Sequence, residues 1–328
     1  MATISTDRMQ DDDSSAVLGE VVWTPARSIW TAAMTIVALA FGPLLFSWSA
    51  FCLFLVATAI TVCAGHSVGM HRLLIHRSFK TPLWLEHCLV YLGTLAGMAG
   101  PFGMIRAHDI RDWAQRQSQC HDLHAHRRPF LHDAWWQMHC RVALDRPPRF
   151  VLETDVAEDR FYRFLERTWM AQQLPWGLLF LAVGGWSFVV WGIAARVAAS
   201  LTGHWLICHF AHRFGSQNWR VEGIAVQGFN IAYCGLVTFG ESYHGNHHAY
   251  PGSARLGMEP GEIDPGWWLL VALRRFGLAW DLKEPRDLAE RGGLQRIKPL
   301  PVERRLASSS SSPPCTHGGL ITAERDRP

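Results

Sequence analysis

The feature that most restricts the fold of this chain is a long stretch without a charged side chain. From Ser28 to Gly65, about 38 residues, there is no Asp, Glu, Lys or Arg, which is enough for two membrane-spanning helices of about 20 residues each. A second apolar block runs from Thr168 to Ala211 and is interrupted at residues 184–187, so it also fits two spans. The sequence therefore predicts an all-α integral membrane protein with four transmembrane helices.

The basic residues predict the orientation of these helices. The two turns on one side of the bundle carry no Lys or Arg, and the other ends are flanked by Arg27, Arg72, Arg77, Lys80, Arg160, Arg163, Arg167, Arg213 and Arg220. By the positive-inside rule, both termini and the histidine clusters described below are cytoplasmic, as expected for a multi-pass protein of a bacterial inner membrane. Arg196 lies inside the fourth span and is expected to snorkel to the outer interface. The net charge of +3 is too small and scattered to indicate nucleic-acid binding.

Two further apolar runs, residues 83–105 and 223–240, are close to spanning length. If either crossed the bilayer, the histidines after it would lie more than about 30 Å from those before it. We therefore expect both runs to be interfacial or re-entrant. The composition divides the chain into a disordered tail (1–22), a membrane domain (23–283) and a mostly disordered tail (284–328) that contains the serine run 308–312.

Histidines recur at the ends of the apolar segments. His71 and His76 are five residues apart, so they converge only if the helix unwinds or bends there, whereas His244, His247 and His248 share one helical face. Sites built mainly from imidazole suit iron, copper or zinc. The zinc peptidase signature HExxH is absent, so a histidine-rich cage without that glutamate base points towards oxygen activation.

Four segments resemble one family of enzymes. Residues 71–80 (HRLLIHRSFK) resemble the first histidine box of the membrane fatty acid desaturases of the acyl-CoA type, and residues 240–251 (GESYHGNHHAYP) resemble the last box. Residues 205–207 followed by His212 look like the segment that supplies a further iron ligand, and residues 277–281 are similar to the C-terminal closing motif. The resemblance covers residues 24 to 282 approximately.

The resemblance implies a di-iron oxidoreductase that uses O2 and two electrons to remove two hydrogens from an acyl chain. It implies four transmembrane helices, a cytoplasmic helical cap with the metal site, and a narrow apolar tunnel. Trp205 would then be a wall of the tunnel, or else an interfacial belt tryptophan. The iron ligands implied are His71, His76, His108, His212, His244, His247 and His248.

The second histidine box departs from the family pattern HxxHH. It reads His108-Asp109-Ile110-Arg111-Asp112, and Arg111 cannot replace an imidazole because a guanidinium has no lone pair to offer. Asp112, or one of the downstream histidines, could complete the second iron; alternatively, the site is weakened or altered. His209 could hold a water or be a core histidine. The downstream candidates are His121, His124 and His126.

Three functions remain open on the sequence alone. The first is a desaturase acting on a fatty acyl group linked to CoA, a carrier protein or a lipid. The second is a di-iron lipid hydroxylase or oxygenase, which the form of the first box disfavours, and the third is a non-catalytic metal-binding or lipid-binding membrane protein. Because no haem or flavin segment is visible, the electrons are expected to come from a separate ferredoxin or cytochrome-like donor.

Overall fold

A computed structural model describes residues 8–10, 13–289 and 291–297 of the chain. Helices dominate this part, and three small two-stranded antiparallel sheets join its peripheral segments. The fold is therefore mostly helical and not strictly all-α. The α- and π-helices of this part are, in chain order, α1 (Pro25–Phe41), α2 (Trp48–Ala59) with a π-helical continuation (Ile60–Ile75), α3 (Leu83–Leu95), α4 (Pro101–Arg116), α5 (Phe130–His139), α6 (Thr154–Glu158), α7 (Arg160–Thr168), α8 (Gln173–Val189), a π-helical turn (Val190–Ala195), α9 (Arg196–Ala211), α10 (His244–Ala249) and α11 (Pro265–Arg275).

Within the described residues, two helical stretches are long and apolar enough to cross a membrane. They are Trp48–Ile75, with 28 residues, and Gln173–Ala211, with 39 residues. The second is broken where predicted, because Gly185 has φ 66° and ψ −160° and leaves the helical conformation. The apolar helix α1 has only 17 residues, so it is shorter than these two candidate spans.

The turn between α1 and α2 lies beside the break in the second apolar block. Ser187 Oγ donates to the carbonyl of Leu45 at 2.6 Å, and Trp191 Nε1 donates to the carbonyl of Gly42 at 3.2 Å. Around these contacts, large apolar side chains face outwards, for example Leu44 at 78% exposure and Val183 at 70%. An apolar surface of this kind is costly in water and is suited to lipid.

The expectation that Arg196 snorkels to the outer interface is wrong. Its side chain is 3% exposed and donates to the carbonyls of Gly192 and Leu95 and to Gln173 Oε1. The polar groups of neighbouring helices therefore satisfy the guanidinium inside the protein.

The run 83–105 does not form one spanning helix. It is divided into α3 and α4 by a turn at residues 96–100, where Gly97 has φ 80°. Helix α3 packs directly on the π-helical segment through glycines. A Cβ added at Gly65 would lie 2.3 Å from the backbone nitrogen of Gly93, and one at Gly69 would lie 2.5 Å from the carbonyl oxygen of Leu89. Small residues allow this close approach of two backbones.

The described parts of both tails are more ordered than the sequence predicted. Strand β1 (Met9–Gln10) pairs with β4 (Arg149–Phe150), and β2 (Gly19–Trp23) pairs with β3 (Cys140–Leu144). In the C-terminal tail, β6 (Leu294–Arg296) pairs with β5 (Trp219–Val221). Strand pairing gives hydrogen-bond partners to the backbone N–H and C=O groups of these segments, although their composition alone predicts disordered tails. The remaining tail residues, 1–7, 11–12, 290 and 298–328, lie outside the described residues.

A buried ion pair fixes α11 to the histidine-bearing part of the fold. Arg72 is 1% exposed, and its Nη2 donates to Asp264 Oδ1 at 2.8 Å. The same carboxylate caps the first turn of α11 by accepting from the backbone N–H of Trp267 at 2.9 Å. The residue that follows His71 therefore anchors α11 from inside the protein.

Candidate metal centre

Four buried histidines from three parts of the chain form what we call the four-histidine cluster. One ring nitrogen from each lies within 4.8 Å of the other three, and the Nε2 atoms of His76 and His108 are 3.2 Å apart. The residues come from the end of the π-helical segment, from α4 and from α10: they are His71, His76, His108 and His247. The structure thus brings together four of the side chains that the sequence suggested as ligands.

The π-helical segment explains how His71 and His76 meet. The backbone N–H of His76 donates to the carbonyl of His71 at 3.1 Å, an i to i+5 contact. A π-helix is wider than an α-helix and is found mostly as short insertions near functional sites. Residues five apart therefore face the same side, and the two ring centroids are 4.8 Å apart.

A second group, the three-histidine cluster, lies beside the first. The Nε2 atoms of His212, His244 and His248 form a triangle with sides of 3.0, 3.0 and 3.4 Å. His212 Nδ1 lies 2.7 Å from the carbonyl of Cys208, which leaves Nε2 as its ligand atom. Helix α10 connects the clusters, since it carries His244 and His248 together with His247, and the rings of His244 and His247 are 5.4 Å apart.

These nitrogens fit metal cations better than they fit one another. A neutral imidazole has one donor and one acceptor nitrogen, so three Nε2 atoms facing each other cannot all be satisfied. Both ring nitrogens of His247 are buried without a hydrogen-bond partner. Ligand nitrogens at about 2.0–2.1 Å from a metal lie about 3.0–3.4 Å apart at angles of 90–110°, which matches the triangle.

Burial keeps the three imidazoles of α10 neutral. It lowers the pKa of His244 and of His247 well below the ordinary value, and neighbouring histidines lower both further. For His248, burial is also the largest cause, and the pKa falls to about 3. A neutral ring offers the lone pair that metal binding requires.

Two carboxylates contact the Nδ1 atoms of two rings in the four-histidine cluster. Glu241 Oε2 lies 2.8 Å from His71 Nδ1, and Asp109 Oδ1 lies 3.1 Å from His108 Nδ1. The pKa of Glu241 is about 2, because His71 and then Arg72 outweigh the rise caused by burial. A carboxylate on Nδ1 fixes the tautomer and presents Nε2 to a metal. Sequence reasoning assigned no role to either residue, although Asp109 lies within the second histidine box and Glu241 within the last.

The second box places Asp112 close to the centre. Asp112 is 6% exposed; its Oδ1 lies 3.9 Å from His108 Nε2 and has no hydrogen-bond partner, while Oδ2 accepts from Arg116 Nη2 at 3.3 Å. Burial would raise the pKa of Asp112, but His108, Arg116 and His248 lower it, so the group is a carboxylate. Arg111 instead lines a cavity and donates to Cys208 Sγ at 3.1 Å.

The three downstream histidines lie in different surroundings. The ring of His126 is 5.0 Å from that of His212, and its Nε2 is buried without a hydrogen-bond partner. His124 is buried as well, but neither it nor His121 belongs to a group of converging ligand atoms among the described residues. His121 lies against Trp136, with ring centroids 6.0 Å apart. His126 is therefore the nearest of the three to the centre.

One carboxylate oxygen of Asp133 accepts hydrogen bonds from three side chains, including those of His126 and Trp205. Its Oδ2 accepts from His209 Nδ1 at 2.7 Å, Trp205 Nε1 at 3.0 Å and His126 Nδ1 at 3.1 Å. Trp205 is 6% exposed and is not among the side chains that line the apolar cavity. The cavity is lined by its helical neighbours instead. His209 is a buried, hydrogen-bonded histidine that faces the same carboxylate.

An apolar cavity of about 450 Å³ reaches the histidines. Its wall is mostly apolar and includes Val62, Met104, Leu206 and Phe239, and its polar lining includes His71, His108 and His244. The cavity therefore contacts both clusters and is shaped for an apolar ligand.

Comparison with known proteins identifies the family. No protein-family model matches the chain. The chain is 38% identical over 253 residues to an sn-1 stearoyl-lipid 9-desaturase of Anabaena variabilis, an alignment that covers 74% of this chain and 88% of that protein. It is 34% identical over 251 residues to an acyl-CoA 5-desaturase of Anemone leveillei, covering 76% and 77% of the two chains.

A third relative supports the same assignment. An sn-2 palmitoyl-lipid 9-desaturase of Nostoc sp. (strain 36) is 32% identical over 246 residues, covering 73% of this chain and 83% of that protein. Identity above 30% extends over most of each protein, and the histidine clusters lie within the membrane domain expected from the sequence. The chain belongs to the membrane fatty acid desaturase family.

Proposed function

We propose that this protein is a membrane-bound di-iron desaturase that introduces a double bond into a fatty acyl chain. The observation that carries the proposal is that two neighbouring histidine clusters both contribute side chains to the lining of an apolar cavity. In the reaction, a –CH2–CH2– unit, O2, two electrons and two protons give –CH=CH– and two molecules of water. The relatives named as acyl-lipid and acyl-CoA desaturases favour this reaction over hydroxylation or a non-catalytic role.

The clusters would hold two iron ions. His71, His76, His108 and His247 would bind one, and His212, His244 and His248 would bind the other together with a further ligand. When bound, the irons supply the oxidising power needed to remove hydrogen from an unactivated acyl chain. The side chains of this protein would position the substrate, exclude water and orient the ligand rings.

Those side chains position the substrate and the ligands. The apolar cavity would hold one part of the acyl chain beside His71, His108 and His244 and would exclude water from the reacting carbons. Glu241 and Asp109 would keep the rings of His71 and His108 in one tautomer. Ser67 Oγ donates to Glu241 Oε1 at 2.6 Å and so fixes the first of these carboxylates.

We propose Asp112 as the ligand that completes the second iron. Its buried Oδ1 lacks a hydrogen-bond partner and lies 3.9 Å from His108 Nε2, and Asp112 interacts electrostatically with His248 of the three-histidine cluster. The wild-type chain should bind two irons, and Asp112→Ala should bind one. Asp122 is half-buried and pairs with Arg128, and Asp122→Ala is the matched control. If His126→Ala loses an iron and Asp112→Ala does not, the ligand is His126. An unaltered number of bound irons in both variants would contradict the proposal that one of these residues completes the second iron.

The architecture proposed is that of the sequence prediction: four transmembrane helices, a cytoplasmic helical cap, and a domain over residues 23–283 in a bacterial inner membrane. The uncharged blocks and the one-sided distribution of Lys and Arg support it. The acyl group would arrive on CoA, a carrier protein or a lipid. The electrons would come from a separate ferredoxin or cytochrome-like donor, and turnover of the purified chain with a nicotinamide cofactor alone would contradict this part.

Lipid profiling of cells that express the protein tests the reaction. Wild-type protein should produce new monounsaturated acyl chains, and His247→Ala should abolish them. His132→Ala changes an exposed histidine outside both clusters and should leave the products unchanged. Hydroxylated products would favour an oxygenase, and an unchanged lipid profile with wild-type protein would contradict both enzymes.

A further inference from the structure

We propose that Arg8 is a positioning residue for the four-histidine cluster. Arg8 belongs to the N-terminal segment that the sequence assigned to a disordered tail, yet its side chain is 4% exposed. It connects the two segments that carry His76 and His108 and thereby fixes the gap between their Nε2 atoms. The inference rests on the proposed function, because it assigns a task to this residue at the proposed metal site.

The guanidinium contacts both sides of this gap. Arg8 Nη1 donates to Asp109 Oδ2 at 3.1 Å and to the carbonyl oxygen of Ile75 at 3.0 Å, and Nη2 lies 3.4 Å from the carbonyl oxygen of Leu74. Leu74 and Ile75 end the π-helical segment immediately before His76. A cation is stabilising at such a helix end, where carbonyl groups lack helical partners.

On the other side, Arg8 acts through Asp109. The two carboxylate oxygens of Asp109 have different partners, since Oδ2 accepts from Arg8 and Oδ1 faces His108 Nδ1 at 3.1 Å. Asp109 is 2% exposed, so no solvent can replace the guanidinium. With the carboxylate held at both oxygens, the ring of His108 has one orientation, and its Nε2 points at His76 Nε2, 3.2 Å away.

A third set of contacts holds Arg8 itself. Its Nε donates to Glu153 Oε2 and its Nη2 lies near Glu153 Oε1, both at 2.8 Å. The backbone is tied as well: Val151 N–H donates to the carbonyl of Arg8 at 2.9 Å, next to the β1–β4 pair. A planar fork of five N–H donors can serve these partners together, and an ammonium group cannot.

The experiment measures Fe(II) affinity of the full-length protein in detergent by competition with a chromophoric chelator. Losing an outer partner of a metal-bound histidine typically costs 10–100-fold in metal affinity. We expect a loss of about this size at one iron in Arg8→Gln and a smaller loss in Arg8→Lys. Arg146→Ala is the matched control, because Arg146 pairs with Asp13 of the same N-terminal segment but is 54% exposed at the surface; it should bind iron as the wild type does.

A double-mutant cycle separates positioning from general stability. If Arg8 acts through Asp109, then Arg8→Gln combined with Asp109→Asn should lose less affinity than the product of the single losses. The melting temperatures of the metal-free variants provide the second measurement. Wild-type affinity in Arg8→Lys, or single losses that multiply and follow the melting temperature, would overturn the proposal. Absence of iron in the wild-type protein would instead overturn the proposed function.

Discussion

Gly203 offers a direct test of whether the cavity holds the acyl chain. Gly203 lies in α9 and lines the cavity, and a Cβ built there meets no other atom within 4 Å. A leucine at this position would therefore extend into the cavity and take space that the substrate needs, with little disturbance of the surrounding helices. The change is Gly203→Leu.

The magnitude follows from the carbons displaced. The leucine side chain has four carbons and would exclude a similar number of methylene groups, each worth about 0.8 kcal/mol when buried. The loss for a chain that fills the cavity is then about 3 kcal/mol, which is about 100–200-fold in kcat/KM. Shorter acyl chains that end before the obstruction should lose much less, so the product profile should move towards shorter chains.

The assay compares monounsaturated products of different chain length in cells that express each variant. Gly177→Leu is the matched control, because a Cβ at Gly177 also meets no atom within 4 Å but this glycine does not line the cavity. It should retain the wild-type profile. An unchanged chain-length preference in Gly203→Leu, with activity intact, would refute the assignment of this cavity to the acyl chain.

Three further outcomes test the packing around the site. Gly69→Ala would place a Cβ 2.5 Å from the carbonyl oxygen of Leu89 and should lower the unfolding free energy by about 1–3 kcal/mol, measured by thermal unfolding, whereas a wild-type value would show that α3 moves freely. Arg72→Met leaves Asp264 buried without its cation and should cost about 3–5 kcal/mol; a cost below 1 kcal/mol would contradict a tight ion pair. Burial lowers the pKa of His124 from 6.5 to about 3, so the unfolded chain takes up a proton first and stability should fall as pH drops from about 6.5 towards 3. His124→Leu should flatten that slope by up to about 1.4 kcal/mol per pH unit, and an identical slope in both proteins would exclude this histidine as the cause.

Local spacing in the sequence was sufficient for much of the site. The positions of His244, His247 and His248 predicted one helical face, and α10 has it. The five-residue interval between His71 and His76 required a departure from the α-helix, and the π-helical segment provides one. Both inferences use neighbours along the chain, where helix geometry alone decides which side chains meet.

Contacts between distant segments were not predictable in the same way. The partners of Asp109 and Arg196 come from residues about 100 positions away, Arg8 and Leu95, and no periodicity in the sequence reports such pairs. The position of Trp205 illustrates the same point. One residue turns a helix by about 100°, so the resemblance placed the correct segment at the site but did not decide which of its faces lines the cavity.

We interpret the altered second box as one in which another ligand completes the second iron, and not as a site that is weakened. Asp109 and Asp112 are both buried in α4, where an uncompensated carboxylate is costly. Asp109 has Arg8 and His108 as partners, and Asp112 Oδ2 has Arg116. The oxygen that remains, Asp112 Oδ1, is buried without a hydrogen-bond donor and lies 3.9 Å from His108 Nε2. A metal cation between these groups would satisfy the carboxylate oxygen and the imidazole nitrogens at once, which a site that had merely lost its ligands would not require.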